Sequence, residues 1–411
     1  MSTLAERPRP LAPRSRCGDA VLLTGATGFV GTELLARYLQ LTDRTIYVLI
    51  RAENERHARE RLREALRCAL GAAEPYLHRV HALPGDITHE RLGLEPQAAV
   101  AAAREISEIV HGAASVSFDL ELEPARAINV QGTRRMLDFA ELCRLQGGLR
   151  RFTYISTAYV AGTHRGAFRE DDLDVGQGFR NSYEQSKFEA ELLVRTYGER
   201  LAVTVVRPSI VVGDRHSGWT SSFNVLYWPL RALAKGSYPV LPARRGAPVD
   251  VVSVDYVADA IVALAGSADA AGQTYHLTAS QDAITIGELL ELSVARLDCK
   301  RPPLISPRLY RHVLAPLICR LQPRRRRFLR ATETYLPYFA VATHYDNARA
   351  RAALEPAIRP APLTVYFDAI VGYALRSRWG ADRSLTRAAA GRALLDGRTD
   401  SQFTRKAAAL H

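Results

Sequence analysis

Near its start the chain contains the stretch Val21-Leu-Leu-Thr-Gly-Ala-Thr-Gly-Phe-Val-Gly31. An apolar run leads into three glycines, which let the backbone turn tightly, approach a pyrophosphate and pack the next helix closely. Residues 33–39 have the pattern of a helix, and residues 45–50 have that of a second buried strand. The stretch therefore predicts the first strand-helix-strand unit of a dinucleotide-binding fold, with the helix N-terminus facing the phosphates.

Strand-like and helix-like segments alternate from about residue 19 to residue 210, a pattern typical of a parallel sheet with helices on both faces. Further strands are predicted at 79–83, 108–110, 152–155 and 203–206, and helices at about 53–70, 123–145 and 181–200. With 411 residues, 47% of them hydrophobic, the chain can bury one large core and a smaller appended part. The expected fold class is α/β, a Rossmann-type doubly wound parallel sheet with a smaller, mainly helical C-terminal part.

The same patterns predict how the chain is divided. We expect a flexible tail at 1–18, a nucleotide-binding Rossmann domain at 19–280, a mainly helical substrate-binding region at 281–378 and a loosely ordered tail at 379–411. Within the Rossmann domain, the aromatic and proline-punctuated segments at 214–250 either line a ligand cleft or simply pack against the sheet.

Charge and cysteine content limit the function classes. The formal net charge of +12 favours anionic partners, such as a phosphorylated cofactor, a coenzyme A ester, an acidic carrier protein or an anionic membrane. No pattern singles out nucleic acid, and none is predicted as a partner. The five cysteines are odd in number and lack paired spacing, which predicts neither a disulfide framework nor a zinc site. No apolar run has the length of a signal peptide or a membrane span, so we expect a soluble cytoplasmic protein.

A tyrosine and a lysine suggest proton chemistry. Tyr183 and Lys187 are four residues apart and share one face of the predicted helix. A nearby ammonium favours the phenolate and so lowers the pKa of a tyrosine, which would make it a proton donor near neutrality. The stretch Tyr154-Ile-Ser-Thr-Ala-Tyr-Val160 places hydroxyl groups at a strand end before that helix, where one could stabilise an oxygen that gains charge.

These motifs together resemble the extended short-chain dehydrogenase/reductase family, and within it the fatty acyl-CoA reductase and carrier-protein thioester reductase branch. The resemblance covers roughly residues 20–280. It is carried by these phrases: Thr24 to Gly31, Leu49-Ile-Arg-Ala52, His57 to Leu62, Gly85-Asp-Ile-Thr88, Leu92-Gly-Leu94, His111-Gly-Ala-Ala114, Asn129-Val-Gln-Gly-Thr133, Ser156 to Val160, Tyr183 to Lys187, Arg207 to Gly213 and Val254 to Asp259. Gly112 and Ser117 depart from it, because these reductases often have Asn there.

The resemblance implies catalytic residues. Thr157, rather than Ser156, matches the active-site hydroxyl, and Tyr183 matches the proton donor. Lys187 matches the residue that contacts the nicotinamide ribose and tunes the tyrosine. Asn129 is interpreted as a helix-cap or loop contact in preference to a catalytic helper.

The end of the second strand indicates the cofactor. An acidic residue there would bind a ribose 2′-hydroxyl, whereas this chain has Arg51, which suits a 2′-phosphate and so favours NADPH. Arg61 either assists or lies on a solvated helix face. The glycine turn and the end of the second strand predict NADPH contacts at Thr24, Gly25, Thr27, Gly28, Phe29, Val30, Gly31, Arg51 and Arg61. The resemblance implies further contacts at Asp86, Ile87, Ala113, Ala114, Ser115, Lys187, Pro208, Ser209 and Ile210. No metal site is predicted, and His111 and His276 are interpreted as structural.

The leading hypothesis is an NADPH-dependent reductase of acyl thioesters, with acyl-CoA or an acyl carrier protein as donor. Hydride would add to the thioester carbonyl, and the hemithioacetal would expel a thiolate to leave an aldehyde, which a second hydride would convert to an alcohol. No cysteine nucleophile is needed. The alternatives are an extended reductase acting on a sugar, steroid or other small carbonyl or hydroxyl substrate, and a non-catalytic dinucleotide-sensing regulator.

The basic run Arg324-Arg-Arg-Arg327 has two interpretations. It could bind a carrier protein, a coenzyme A phosphate or a membrane surface, or it could be a solvated helix face.

Overall fold

A computed structural model describes residues 18–223, 225–314, 316, 338, 341–382 and 384–395. Its centre is a seven-stranded sheet in which all neighbouring strands are parallel. The strands are β1 (Ala20–Thr24), β2 (Ile46–Ile50), β3 (Val80–Pro84), β4 (Ile106–His111), β5 (Arg151–Ile155), β6 (Val203–Pro208) and β7 (Thr274–Leu277). The spatial order is β7-β6-β5-β4-β1-β2-β3, so the order reverses between β1 and β4. This reversal opens a crevice at the carboxyl ends of those two strands.

Helices cover both faces of the sheet, and the predicted doubly wound α/β fold is confirmed. In chain order they are α1 (Phe29–Leu41), α2 (Glu55–Leu70), α3 (Pro96–Glu105), α4 (Leu122–Arg126), α5 (Gly132–Gly147), α6 (Ser182–Thr196), α7 (Tyr227–Ala234), α8 (Val254–Gly266), α9 (Ile286–Leu297), α10 (Pro307–Leu309), α11 (Ala348–Leu354), α12 (Leu363–Arg376) and α13 (Arg387–Leu395). One π-helical turn, Ala127–Gln131, joins α4 to α5 where the sequence predicts a single helix.

Local sequence explains where the key elements begin. The Asn181 side chain accepts a hydrogen bond from the Glu184 N–H at 3.0 Å and so caps α6, the helix that carries Tyr183 and Lys187. β1 is buried along its whole length, as expected for a parallel strand covered on both faces. Its alternate residues enter two different hydrophobic cores, one beneath α1 and α8 and the other beneath α3 and α5.

The C-terminal part forms a third hydrophobic core from α7, α9 and α12. The region 281–378 is not wholly helical in its described part, because Thr343–Tyr345 pairs in parallel with Gly166–Phe168 and other short strand pairs flank α9. Within the segment expected to be loosely ordered, α13 is a helix, and its Arg387 pairs at 2.8 Å with the buried Glu33 of α1. The predicted division into domains stays a prediction. The basic run at 324–327, and Cys17 and Cys319, lie outside the described residues.

A fully buried ion pair joins α6 to the sheet. Arg207 of β6 donates to Glu191 of α6 at 2.6 Å, and neither side chain is exposed to solvent. Ser156 donates to the same carboxylate at 2.6 Å, and His276 lies 3.0 Å from the Arg207 guanidinium. The arginine lowers the pKa of Glu191 against the opposite effect of burial. This network fixes α6 against the strand ends that border the crevice.

Removal of one partner should leave the other charge buried and unpaired in the core. We expect Glu191→Ala to lower the free energy of unfolding by about 3–5 kcal/mol, because Arg207 would remain buried without its counter-ion. Glu189→Ala is the matched control, since Glu189 lies two residues before Glu191 on the same helix, in a more exposed pair with Arg126. Urea unfolding of both variants measures their free energies of unfolding. Equal losses of stability in the two variants would contradict the importance given to the buried ion pair.

Candidate active site

The crevice between β1 and β4 is built on close backbone contacts. Gly25 has φ of +75°, and a Cβ there would lie 2.9 Å from the Ala113 nitrogen. A Cβ on Gly31 would lie 2.1 Å from the Gly25 carbonyl oxygen. Only glycine fits at either place, so the turn after β1 packs directly against both α1 and the loop after β4.

The start of α1 suits a phosphate. Its N-cap residue, Gly28, supplies no side chain to bind the N–H groups of the first turn. These groups therefore face the crevice, where the positive end of the helix dipole favours an anion. The residues thus fit the pyrophosphate of a dinucleotide.

Two arginines, Arg51 and Arg61, border the end of β2, where the adenine ribose of a dinucleotide would lie. Arg61 of α2 donates to the Arg51 carbonyl oxygen and lies 3.5 Å from the Thr27 hydroxyl. Arg61 therefore turns toward the crevice. Asp86 accepts two hydrogen bonds of 2.8 Å from Thr88; burial raises the pKa of Asp86, but these bonds and the Arg51 charge lower it overall.

Asn129 makes a loop contact. Its amide oxygen accepts from the Ser115 N–H at 2.7 Å, and its amide nitrogen donates to the Ser115 carbonyl at 3.1 Å and to the Ser186 hydroxyl at 2.9 Å. The side chain thus fixes the loop after β4 against α6. A loop contact of this kind is one of the two structural roles expected for Asn129 from the sequence.

Thr157, Tyr183 and Lys187 all line the crevice. Thr157 lies at the end of β5 and accepts a hydrogen bond from the Tyr159 N–H at 3.2 Å. The Tyr183 ring packs 5.5 Å from the Phe118 ring. The Lys187 ammonium donates to the Tyr154 hydroxyl at 2.7 Å and to the Ile155 carbonyl at 2.8 Å.

The protonation of Tyr183 and Lys187 differs from the expectation. Burial raises the pKa of Tyr183 to about 12, against the lowering effect of a hydrogen bond with Thr157. Burial also lowers the pKa of Lys187 to about 7, while Glu191 opposes this. The ammonium does not lower the pKa of Tyr183 as expected, because desolvation has the largest effect and the ammonium donates to Tyr154 instead. Tyr183 consequently holds its proton throughout the neutral range.

The crevice widens into a cleft of about 1180 Å³. Thr157, Tyr183 and Lys187 line this cleft. All the residues predicted to bind the cofactor also line the cleft, except Ser115. Ser115 instead has its N–H and carbonyl bound to Asn129. Residues 219–223 also line the cleft, whereas Tyr238 belongs to the hydrophobic core of the C-terminal part. The two interpretations of 214–250 therefore apply to different halves of that segment.

Sequence reasoning missed an aromatic wall on the cleft. Phe29 packs 5.7 Å from Trp219, and Phe223 stacks 6.3 Å from Tyr373 of α12, with Trp379 beside them. The aromatic content of 219–229 was a signal for the first part of this wall. Nothing in the local sequence pointed to Tyr373 or Trp379, which reach the cleft from the C-terminal region. The bond between Tyr154 and Lys187 was also missed, although Tyr154 lies within a motif that was recognised.

Among the described residues, no group of three or more histidine, cysteine or acidic side chains could hold a metal ion. In the same ranges, no helix combines the length and the apolar character needed to cross a membrane.

Comparison with known proteins gives the family. Residues 23–261 match the model of an NAD-binding family described as male sterility protein. The chain belongs to this family. It lies in the thioester reductase branch of the extended short-chain dehydrogenase/reductases, as the sequence motifs predicted.

Relatives of the male sterility protein family differ in length. The chain is 34% identical over 251 residues to isonitrile lipopeptide synthase of Streptomyces coeruleorubidus, covering 60% of this chain but only 16% of that protein. It is 27% identical to fatty acyl-CoA reductase 1 of Arabidopsis thaliana, covering 69% of this chain and 71% of that one. The crystal structure of the terminal R domain from the myxalamid PKS-NRPS pathway has a TM-score of 0.76 and 26% identity, covering 90% of this chain and 94% of that domain.

A methyl group on Gly31 should disturb the crevice. We expect Gly31→Ala to weaken dinucleotide binding about tenfold or more, because its Cβ would push the Gly25 carbonyl and displace the turn. Gly266→Ala is the control, since a Cβ there meets nothing within 4 Å. Titration of nucleotide fluorescence measures both affinities; an unaltered affinity in Gly31→Ala would show that the turn does not hold the dinucleotide.

Proposed function

We propose that this protein is an NADPH-dependent reductase of acyl thioesters that releases an aldehyde. The observation that supports this most is the placement of Thr157, Tyr183 and Lys187 on one wall of the cleft that the glycine turn and Arg51 border. The similarity to a fatty acyl-CoA reductase supports the same substrate class. Hydride transfer also needs no cysteine, and among the free cysteines described, burial raises the pKa of Cys68, the one that lines the cleft.

When bound, the nicotinamide supplies the hydride. The thioester oxygen that gains charge would then lie between the hydroxyls of Thr157 and Tyr183, which stabilise it by hydrogen bonds. Because the pKa of Tyr183 is about 12, its phenol is protonated at neutral pH and can deliver that proton to the oxygen. The resulting hemithioacetal breaks its C–S bond, and aldehyde and thiol leave.

Lys187 would hold the nicotinamide ribose. Its ammonium has two protein acceptors, Tyr154 and Ile155, so one N–H remains for a ribose hydroxyl in the cleft. Arg51 and Arg61 would bind the 2′-phosphate at the opposite end. The two ends together define the length and direction of the bound dinucleotide.

The thioester donor would be coenzyme A or a carrier protein. Both carry the reactive thioester at the end of a phosphopantetheine arm whose other end is an anionic phosphate, which suits the net charge of +12. The aromatic wall formed by Phe29, Trp219 and Phe223 offers apolar contacts to an extended acyl or pantetheine chain.

The activity test uses the purified protein, NADPH and acyl-CoA esters of several chain lengths. Absorbance at the reduced nicotinamide band and release of free thiol are followed together, and we expect them in equal amounts if the aldehyde is the product. NADPH consumption without thiol would point to an ordinary carbonyl reductase. No consumption with acyl-CoA or acyl carrier protein would refute the proposal.

Replacement of the proton donor tests the chemistry. Tyr183→Phe should reduce kcat by about 10²–10⁴-fold, because the ring packing on Phe118 is retained while the proton is lost. NADPH affinity should change little. Tyr275→Phe is a matched control, since Tyr275 is a buried tyrosine of β7 that does not line the cleft. A Tyr183→Phe enzyme with wild-type kcat would mean that the proton comes from elsewhere.

Cofactor preference should depend on Arg51. Arg51→Ala should weaken NADPH binding by about tenfold and leave NADH binding nearly unchanged, because the guanidinium would pair only with the 2′-phosphate. Arg56→Ala, at an exposed position of α2, controls for the loss of one positive charge. The Kd values of NADPH and NADH are compared in the wild type and in the two variants. If Arg51→Ala weakened the binding of NADPH and NADH equally, Arg51 would not select the cofactor.

A further inference from the structure

A chain of buried polar side chains connects Lys187 with the turn after β1. From the Lys187 ammonium it passes to the Tyr154 hydroxyl, then to the Thr133 hydroxyl, to the His111 ring and to the Thr24 hydroxyl. Every one of these five side chains is buried. Its two outer members, Lys187 and Thr24, line the cleft, so the chain connects the residue expected at the nicotinamide ribose with the turn expected at the pyrophosphate.

The hydrogens of this chain can be assigned one by one. The Thr133 hydroxyl donates to the Asn129 carbonyl at 2.6 Å, so its lone pairs are left for Tyr154 and for His111 Nε2 at 3.1 Å. Burial, and secondly the Lys187 charge, lower the pKa of His111 to about 3, so the ring is neutral. A neutral ring that donates through Nε2 must accept at Nδ1, where Thr24 lies at 2.8 Å.

The far end of the chain is fixed by backbone groups. The Thr24 hydroxyl, having donated to His111, accepts from the Gly112 N–H at 3.2 Å and the Ala113 N–H at 3.1 Å. Thr24 immediately precedes Gly25, the residue whose conformation forms the phosphate turn. Every group in the chain therefore has a hydrogen-bond partner, and the arrangement with the proton on His111 Nε2 satisfies all of them.

At the near end, Tyr154 contacts Lys187 in two ways. Its hydroxyl accepts from the ammonium at 2.7 Å, and its ring lies 4.2 Å from the same nitrogen, within the range of a cation–π contact. Together with the Ile155 carbonyl, the hydroxyl occupies two of the three ammonium hydrogens. The third ammonium hydrogen is then directed toward the cleft, because the other two are held by Tyr154 and Ile155.

We infer that Tyr154 is a positioning residue, which orients the Lys187 ammonium toward the ribose of the bound dinucleotide and does so from a buried chain anchored at the phosphate turn. This inference rests on the proposed function for its effect on turnover. Its effect on dinucleotide binding is independent of the substrate.

Because Lys187 can lose its proton, the role of Tyr154 should be visible in the pH dependence of dinucleotide binding. The titratable groups that act on the ammonium are Glu191 on its own helix, Tyr154 on β5 and His111 on β4. Of these, Glu191 is ionised and paired with Arg207, and the others are neutral near pH 7. Loss of the Tyr154 hydroxyl removes an acceptor from the charged ammonium, so the lysine should lose its proton at lower pH.

The experiment measures the Kd of NADPH, and of NADH, between pH 5.5 and 9 by nucleotide fluorescence. In Tyr154→Phe we expect binding near pH 7.5 to weaken about tenfold, with the alkaline loss of affinity beginning about one pH unit lower than in the wild type. Tyr38→Phe is the matched control, because it also removes a buried hydroxyl, one that donates to Glu108 far from Lys187. It should leave the pH profile unchanged, and thermal unfolding of both variants reports any general loss of stability.

A second pair of variants tests the next link. Thr133→Val removes the hydroxyl that faces Tyr154 and His111, and it should shift the profile in the same direction, whereas Thr133→Ser keeps the hydroxyl and should restore the wild-type profile. An unshifted profile in Tyr154→Phe would overturn the inference, and so would a shift of the same size in Tyr38→Phe.

Failure of the proposed function would be recognised separately. If the wild type binds NADPH but reduces no acyl thioester, the proposed substrate is wrong and the binding profiles still judge Tyr154. If the wild type binds neither NADPH nor NADH, the inference fails as well, because Lys187 would have no ribose to orient.

Discussion

The structure depends on one close approach of backbone to backbone. The turn after β1 lies against the loop after β4 and against α1 so tightly that a single methyl group at Gly25 or Gly31 would overlap main-chain atoms. This contact fixes the distance between the two strands at which the sheet order reverses. It also places the first turn of α1, the loop held by Asn129 and the ends of β5 and β6 around one crevice. Thr157, Tyr183 and Lys187 then reach it from the end of β5 and from the first turns of α6.

A second constraint is desolvation around α6. The helix buries Lys187 and Glu191 one turn apart, and both charges are costly unless they have partners. Glu191 has Arg207, whereas Lys187 has a hydroxyl, a carbonyl and an aromatic face. The carboxylate is thereby held ionised as part of the framework, and the lysine is left near the point where it can lose its proton. The same helix thus carries one charge that holds the fold together and one that is available for function.

Much of this arrangement could be predicted from local sequence. Glycine spacing, strand hydrophobicity and the four-residue interval between Tyr183 and Lys187 act over a few residues, and they located the sheet, the crevice and the residues that line it. The bond from Lys187 to Tyr154 could not be predicted in this way, because it depends on how α6 lies across β5. The effect of burial on the pKa of Tyr183 likewise depends on packing that spacing alone does not describe.

The ion pair between Arg387 and Glu33 joins residues 354 positions apart. It holds α13 against the first helix of the chain, while Tyr373 and Trp379 complete the aromatic wall beside Phe29. During synthesis, the sheet strands β1 to β5 can pair long before these residues leave the ribosome. A chain that ended before Tyr373 would keep the glycine turn but lack part of the aromatic wall, which would leave that side of the cleft open to solvent.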